Sequence, residues 1–188
     1  MKMKKGFTLL ELLIVIGILA ILATVVALVL DPAELLGQAR DSQRLSDLRT
    51  INSAIGLWVA SASSTTIGSD AQTCTKGTTI FTGNTGTCLE NATTTINGEG
   101  WVKGINFTFI PGGSPLSRLP LDPTNTLGAT GNHYEFKVVT GGTYELNANM
   151  ESDKYKRNGA ADVESNIKDG GSNNDVYEIG TEPGLDLI

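Results

Sequence analysis

The run from Phe7 to Leu30 constrains this chain more than any other feature of its sequence. It is apolar throughout except at Thr8, Glu11, Gly17 and Thr24. A helix of this length rises by about 36 Å, and the hydrocarbon core of a bilayer is about 30 Å thick. The run therefore predicts a membrane-spanning helix.

The residues before this run are basic. Lys2, Lys4 and Lys5 precede Phe7, and positive charge beside a spanning helix favours the cytoplasmic side. We therefore expect the N-terminus in the cytoplasm and the rest of the chain outside. An ordinary secretory signal is the alternative, but its apolar stretch is only about 7–15 residues long.

Glu11 is the one charge in the run, and a carboxylate inside a spanning segment is costly. Cleavage between Gly6 and Phe7 would create an amino group one helical turn before it, at i to i+4 spacing. The amine is therefore a candidate partner for the carboxylate. Two alternatives remain: Glu11 pairs only with the amine of its own chain, or it stays hydrated at the headgroup level.

The segment from Gly6 to Val15, GFTLLELLIV, closely resembles the processing site of type IV pilins and the related pseudopilins. This resemblance implies that a prepilin peptidase cleaves after Gly6 and that Phe7 becomes N-methylated. It also implies that Glu11 meets the amine of a neighbouring subunit in a helical filament of identical copies, built by an inner-membrane assembly platform. The chain departs from many relatives in having no proline within its apolar run.

The same resemblance implies a location. The subunit would reside in the cytoplasmic membrane before assembly and afterwards in an extracellular or periplasmic filament. Two further interpretations stay open: a major pseudopilin forming a short periplasmic pseudopilus for type II secretion, and a single-span anchored protein that binds a surface or ligand. The stretch from Leu119 to Pro123, followed by Tyr134 and by Tyr144 to Leu146, is similar to major pseudopilins.

The charge balance and the missing motifs limit the function further. The formal net charge is −6, and it becomes 11 − 20 = −9 without the three leader lysines. Such a surface is unsuited to general nucleic-acid binding, which needs clustered Lys and Arg. No nucleophile elbow, phosphate-binding loop or His-Glu-x-x-His motif is present, so we do not expect an enzyme. His133 is expected to be a structural or surface residue.

The chain has two cysteines, Cys74 and Cys88, and one histidine. Outside the cytoplasm a disulfide between them is favoured over two free thiols. One histidine and two cysteines do not complete a zinc site of the usual Cys/His type. The resemblance to major pseudopilins, which bind calcium near the C-terminus, implies calcium as a candidate cofactor. Asp169, Asn173 and Asp175 offer oxygen ligands in a turn-prone segment, although their spacing differs from an EF-hand loop.

The remaining pattern predicts an α+β fold in which the long N-terminal helix packs on a small antiparallel β-sheet. Asp31, Pro32 and Glu34 indicate a helix restart, and an amphipathic stretch continues to Ala60 with its charged residues mostly on the solvent side. Strands are expected from Trp101 to Phe109, in a hairpin of 133–139 with 144–148, and at 176–179, with the last leucines and Ile188 against the sheet. The expected divisions are a leader at 1–6, a spanning helix at 7–30, its amphipathic continuation at 31–60, an irregular loop at 61–100 and a β head at 101–188.

Overall fold

The computed structural model describes residues 6–61, 71–128, 130–139, 141–182 and 184–188. The chain divides into two compact units, one ending at Leu36 and the other comprising Gly37–Ile188.

The first unit is dominated by helix α1, Leu9–Leu30. None of its side chains is buried within the protein, because the apolar residues surround the helix on every side instead of forming one stripe. It ends at Asp31, whose backbone is left-handed with φ of 37°. Helix α2 then begins at Pro32, and the Asp31 carboxylate accepts the Glu34 N–H at 3.3 Å. The predicted restart at Asp31 is confirmed.

Helix α2, Pro32–Ser61, provides one side of the core of the second unit. Its buried apolar residues follow the predicted stripe and include Leu48, Ile51 and Ile55, all with no exposed surface. The expected placement of the charged residues is wrong at two positions. Asp41 and Arg44 have no exposed surface either, since their partners lie on loops that pack against this part of the helix.

Five strands form one sheet: β1 Ala71–Cys74, β2 Leu89–Glu90, β3 Tyr134–Val138, β4 Tyr144–Ala148 and β5 Tyr177–Gly180. Their order is β2-β1-β3-β4-β5. The β3–β4 hairpin and the last strand were predicted and are confirmed. The sheet is mixed and not antiparallel, because β2 pairs with β1 in parallel while every other pair is antiparallel.

Two predictions for the middle of the chain are wrong. The stretch expected to be irregular contains β1 and β2, and the strand expected from Trp101 is a coil that ends in a short 3₁₀ turn, Phe107–Phe109. Trp101 and Phe107 are buried because backbone N–H groups at both positions donate to carbonyls of Thr93 and Ile96. The alternation of apolar residues here reflects a loop held against the core and not an extended strand.

The two faces of the sheet have different coverings. On the inner face the strands present an apolar set to α2: Tyr134, Phe136, Val138, Tyr144 and Leu146. Tyr134 and Tyr144 also reach the helix through their hydroxyls, which donate to Asp47 Oδ2 at 2.9 Å and Asn52 Oδ1 at 2.7 Å. Each tyrosine thus joins apolar packing to a polar contact with α2.

The outer face is polar and is nevertheless buried. Cys74, Glu135, Asn147 and Glu178 occupy matching positions on four adjacent strands, and each is at most 1% exposed. The loop between β1 and β2, the segment before β5 and the C-terminal residues cover them. As predicted, the C-terminal apolar residues contribute, since Leu185 and Ile188 are buried.

Candidate processing and assembly site

The Gly6–Phe7 bond lies in non-helical chain just before α1. A Cβ added to Gly6 would meet nothing within 4 Å, and Phe7 is 77% exposed. The helix begins two residues later, at Leu9. Within the described chain, this bond is therefore sterically open and not held in regular structure.

Glu11 is engaged with Thr8 in the uncleaved chain. Its Oε2 accepts the Thr8 N–H at 2.9 Å and the Thr8 hydroxyl at 2.8 Å, while the Glu11 N–H donates to Thr8 Oγ1 at 3.2 Å. This reciprocal arrangement is a capping box that satisfies donors at the start of α1. The Thr-x-x-Glu spacing is visible in the sequence, and our sequence interpretation of Glu11 did not include it.

The side chains that follow Glu11 leave a large apolar surface uncovered. Leu9, Leu13, Ile21 and Val29 are each more than half exposed. Among the described residues one helix is long and apolar enough to cross a membrane, and none of its apolar window is buried inside the protein. An apolar surface of this extent requires lipid or other apolar helices around it.

These features define a class: a pilin-like α+β protein whose N-terminal apolar helix precedes a small mixed sheet. Residues 1–27 match the family model of the prokaryotic N-terminal methylation motif. This motif is typical of type IV pilins and pseudopilins, and it spans Gly6, Phe7 and Glu11. Neither the curated proteins nor the solved structures contain a match to the chain.

A second set of polar residues connects helix α2 to loops of the second unit. The sequence had indicated that these charged residues face solvent. Arg44 donates to both oxygens of Asp122 at 2.6 and 3.1 Å, to Asp41 at 2.6 Å and to Glu151 at 2.8 Å. Asp41 in turn accepts the backbone N–H of Ser152 at 2.8 Å. Although burial alone would raise the pKa of Asp122, its hydrogen bonds to Arg44 hold that pKa below the usual range.

This cluster, which we call the Arg44 cluster, is Asp41, Arg44, Asp122 and Glu151. It joins α2 to two loops that are more than 70 residues distant in sequence. Asp122 belongs to the Leu119–Pro123 stretch that resembles pseudopilins. The cluster therefore has a structural role, in which Arg44 donates hydrogen bonds to all three acidic members.

The predicted disulfide is present. Cys74 and Cys88 are bonded, with Cα atoms 5.7 Å apart. The bond closes the loop between β1 and β2, and this loop also covers the outer face: the Phe81 N–H donates to Glu135 at 2.8 Å and the Phe81 ring stacks on His133 at 4.3 Å. His133 is fully buried, so of the two expected roles it has the structural one.

The polar groups of the three residues predicted to bind calcium mostly contact other parts of the chain, although the Asp175 N–H donates to Asn173 Oδ1 at 3.1 Å. Asp169 accepts the N–H groups of Gly171 and Glu178, and Asn173 donates to Asn84 Oδ1 at 2.6 Å. The Asp175 carboxylate faces Arg157 at 3.3 Å. Calcium binding by Asp169, Asn173 and Asp175 stays a prediction.

Beside this segment two glutamates share one buried space. Burial, and after it the neighbouring carboxylates of Glu145 and Asp169, raise the pKa of Glu178 to about 8. Glu145 receives the Asn147 side-chain amide at 2.7 Å and the Leu187 N–H at 2.8 Å. These donors favour its ionised form, but burial is the larger effect and raises the pKa of Glu145 as well. Glu178 Oε1 has no hydrogen-bond partner in the described structure. Both carboxyl groups therefore have raised pKa values in this buried space.

Proposed function

We propose that this protein is the structural subunit of a type IV pilus-like surface filament. It is cleaved after Gly6, N-methylated at Phe7 and polymerised through α1. The observation that carries the proposal is the wholly uncovered apolar helix, which follows an open Gly6–Phe7 bond and contains a single carboxylate. Polymerisation would bury the apolar surface among the same helices of other copies.

The geometry of Glu11 supports a change of partner on cleavage. Before cleavage, the only donors on its carboxylate in the described chain are the Thr8 N–H and hydroxyl. Cleavage produces a charged amine at Phe7, and a charge-assisted hydrogen bond to an amine is stronger than a neutral one. In a filament the amine of an adjacent subunit provides this contact and fixes the axial register between copies.

The direct test compares two substitutions in cells that make the filament. Glu11→Ala removes the carboxylate and should abolish filaments, because the neighbouring amine is left unpaired among apolar helices. Thr8→Ala removes the capping hydroxyl but keeps the carboxylate, and filaments should still form. Undiminished filaments in Glu11→Ala cells, seen by electron microscopy, would contradict the charge pairing.

Processing is tested separately by mass spectrometry of the mature chain. We expect the N-terminal residue to be N-methylphenylalanine derived from Phe7. An intact Gly6–Phe7 bond in the mature protein would exclude processing and would favour the third interpretation, a single-span anchored binding protein. Gly6→Ala is expected to block cleavage, because it places a side chain at the residue before the cut.

A second candidate function is the major pseudopilin of a type II secretion system, in which the same subunit forms a short periplasmic pseudopilus. The Leu119–Pro123 stretch favours this candidate. Both candidates require a prepilin peptidase and an inner-membrane assembly platform as partners. They differ in outcome: deletion of the gene would remove long surface filaments in the first case and block secretion of folded proteins in the second.

A further inference from the structure

Three side chains with metal-binding chemistry meet on the outer face of the sheet, and the disulfide attaches a fourth, Cys88, to one of them. A ring nitrogen of His133, Cys74 Sγ and a carboxylate oxygen of Glu135 all lie within 4.8 Å of one another, and Cys88 is bonded to Cys74. The strand register explains the meeting. Cys74 is the cross-strand partner of Glu135, and residues 133 and 135 are separated by one strand repeat and so face the same side.

In the disulfide form the two sulfurs hold each other and do not ligate a metal. In the dithiol form the same place offers two thiolates, one imidazole and one carboxylate. Zn²⁺ takes four ligands of these types in tetrahedral geometry. Glu135 lies outside the usual Cys/His pattern of zinc sites, and only the strand register places it beside Cys74.

The observed distances suit this geometry. His133 Nε2 lies 3.2 Å from Glu135 Oε1, and two ligand atoms about 2.0 Å from a tetrahedral zinc are separated by about 3.3 Å. The sulfurs would need to separate to about 3.8 Å, as in zinc sites with two thiolates. Cys88 lies just before the two-residue strand β2, and rotation of its side chain about the Cα–Cβ bond would be the movement required.

The carboxylate of Glu135 is held in a fixed orientation by the chain around it. His133 is fully buried and turns Nε2 toward this carboxylate. Glu135 is fixed by the Phe81 N–H at 2.8 Å and by the Asn84 side-chain amide at 2.9 Å. A carboxylate oriented in this way resembles the supported ligands of protein metal sites.

We propose that the dithiol form of this protein binds one Zn²⁺ through Cys74, Cys88, His133 and Glu135. Binding removes the protons of the two thiols. Zinc and the disulfide are then alternative links at one place, each connecting the β1–β2 loop to the sheet. All four residues are at most 2% exposed, so the site is closed and structural, without an open position for substrate.

Exchange with an external disulfide compound converts one link into the other. The two zinc-bound thiolates give two electrons to the sulfur–sulfur bond of the compound, which is reduced to two thiolates. The Cys74–Cys88 bond forms, and zinc leaves with its charge unchanged. One Zn²⁺ is therefore released for each protein disulfide formed.

The experiment uses the full chain in detergent, reduced with a phosphine and freed of metal by a chelator. Zn²⁺ is titrated against a coloured chelator, and Co²⁺ is used as a spectroscopic probe of thiolate ligation. We expect one equivalent of either metal in the dithiol form and none in the disulfide form. Adding oxidised glutathione should release the zinc in step with the loss of free thiols.

Variants identify the ligands. His133→Gln and Glu135→Gln should each weaken zinc binding by at least about tenfold, and the double change of Cys74 and Cys88 to serine should abolish it. Glu99→Gln is the control, because this carboxylate is exposed and pairs with Lys103; it should leave binding unchanged. Circular dichroism of the disulfide form shows whether each variant folds.

Three results would overturn the proposal. The first is the lack of stoichiometric zinc in the reduced protein, including the case in which the reduced chain is unfolded and zinc does not restore its circular dichroism. The second is unchanged zinc affinity in both His133→Gln and Glu135→Gln. The third comes from X-ray absorption of the wild-type zinc complex, if its neighbours are other than two sulfur and two nitrogen or oxygen atoms. The last measurement does not depend on any variant.

Discussion

Arg44 donates two parallel hydrogen bonds to Asp122, from Nε at 2.6 Å and from Nη2 at 3.1 Å, and neither side chain is exposed to solvent. The pair connects α2 to a loop 78 residues further along the chain. Asp122 also accepts the N–H groups of Thr124 and Asn125, so the carboxylate orders its own turn as well. The pair is therefore expected to contribute more than a surface ion pair.

Asp122→Asn should destabilise the head by about 3 kcal/mol, because it leaves a buried guanidinium without its main counter-charge. The free energy of unfolding is measured with denaturant for the full chain in detergent. Lys103→Ala is the control: it breaks an exposed pair with Glu99 and should change stability by less than about 1 kcal/mol. An equal effect of the two substitutions would contradict the structural role of the pair.

The same pair predicts a loss of stability in acid. The pKa of Asp122 lies below its usual value of 3.8 in the folded protein, so the unfolded chain binds its proton first. The stability that this group contributes is present above pH 3.8 and is lost as the pH falls through the lowered value. Asp122→Asn should remove this part of the acid dependence, measured as unfolding free energy against pH.

Glu178 should produce the opposite pH dependence. Its pKa is raised from 4.5 to about 8 by burial first and then by neighbouring carboxylates, so the folded state holds the proton more tightly. Stability from this group is present below pH 4.5 and is lost as the pH rises to about 8. Glu178→Gln imitates the protonated acid and should flatten the decline between these pH values, as followed by thermal unfolding.

The control for this prediction is Glu182→Gln, a change at a partly exposed glutamate two residues beyond β5. It should preserve the decline of the unmodified protein. A decline that is equally steep in Glu178→Gln would show that Glu178 is not the responsible group.

The disulfide should stabilise the head even in the absence of metal. Replacing both Cys74 and Cys88 by serine opens a loop with a sequence separation of 14, and the chain-entropy model assigns about 3 kcal/mol to a loop of about this length. The loss is measured by denaturant unfolding under oxidising conditions with chelator present. Reduction of the wild-type protein, again with chelator present, should give a similar loss, and no loss in either case would be inconsistent with this role.

The tyrosine hydroxyls that reach α2 should each have a modest effect. Tyr144→Phe removes the hydrogen bond to Asn52, and we expect a cost of about 1 kcal/mol. Tyr134→Phe should cost somewhat more, because its acceptor Asp47 is partly buried and carries charge. A thermal unfolding series with Tyr155→Phe as the comparison, at a largely exposed hydroxyl contact with Ser42, checks the ranking.

The sequence predicts the parts of the fold that depend on local signals. The break at Asp31 follows from a capping residue and a proline, and the β3–β4 hairpin follows from alternating residues around Gly141 and Gly142. Strands β1 and β2 lack such signals. They have four and two residues among Ser, Thr and Gly, and they become strands only because β3 and the disulfide provide distant partners.

The buried charges were missed for a related reason. A helical pattern assigns Asp41 and Arg44 to solvent, because the charged residues of an amphipathic helix normally lie on the face opposite its apolar stripe. Their partners Asp122 and Glu151 are identified only when the loops are placed. For the candidate site the balance is different: Gly6, Phe7 and Glu11 form a local motif and were readily found, whereas the capping role of Thr8 required attention to the spacing of hydrogen-bond groups.

The anchoring of the β1–β2 loop has a practical consequence for peptide display. Its composition suggests a freely variable loop, yet Phe81 and Asn84 bind Glu135 beneath it, so a foreign epitope inserted there would uncover the outer face. Gly112 and Gly113 are exposed, and a Cβ at either position meets nothing within 4 Å. An epitope placed between these two glycines would replace the exposed turn closed by the Gly113 N–H and the Ile110 carbonyl, and it should leave the outer face covered.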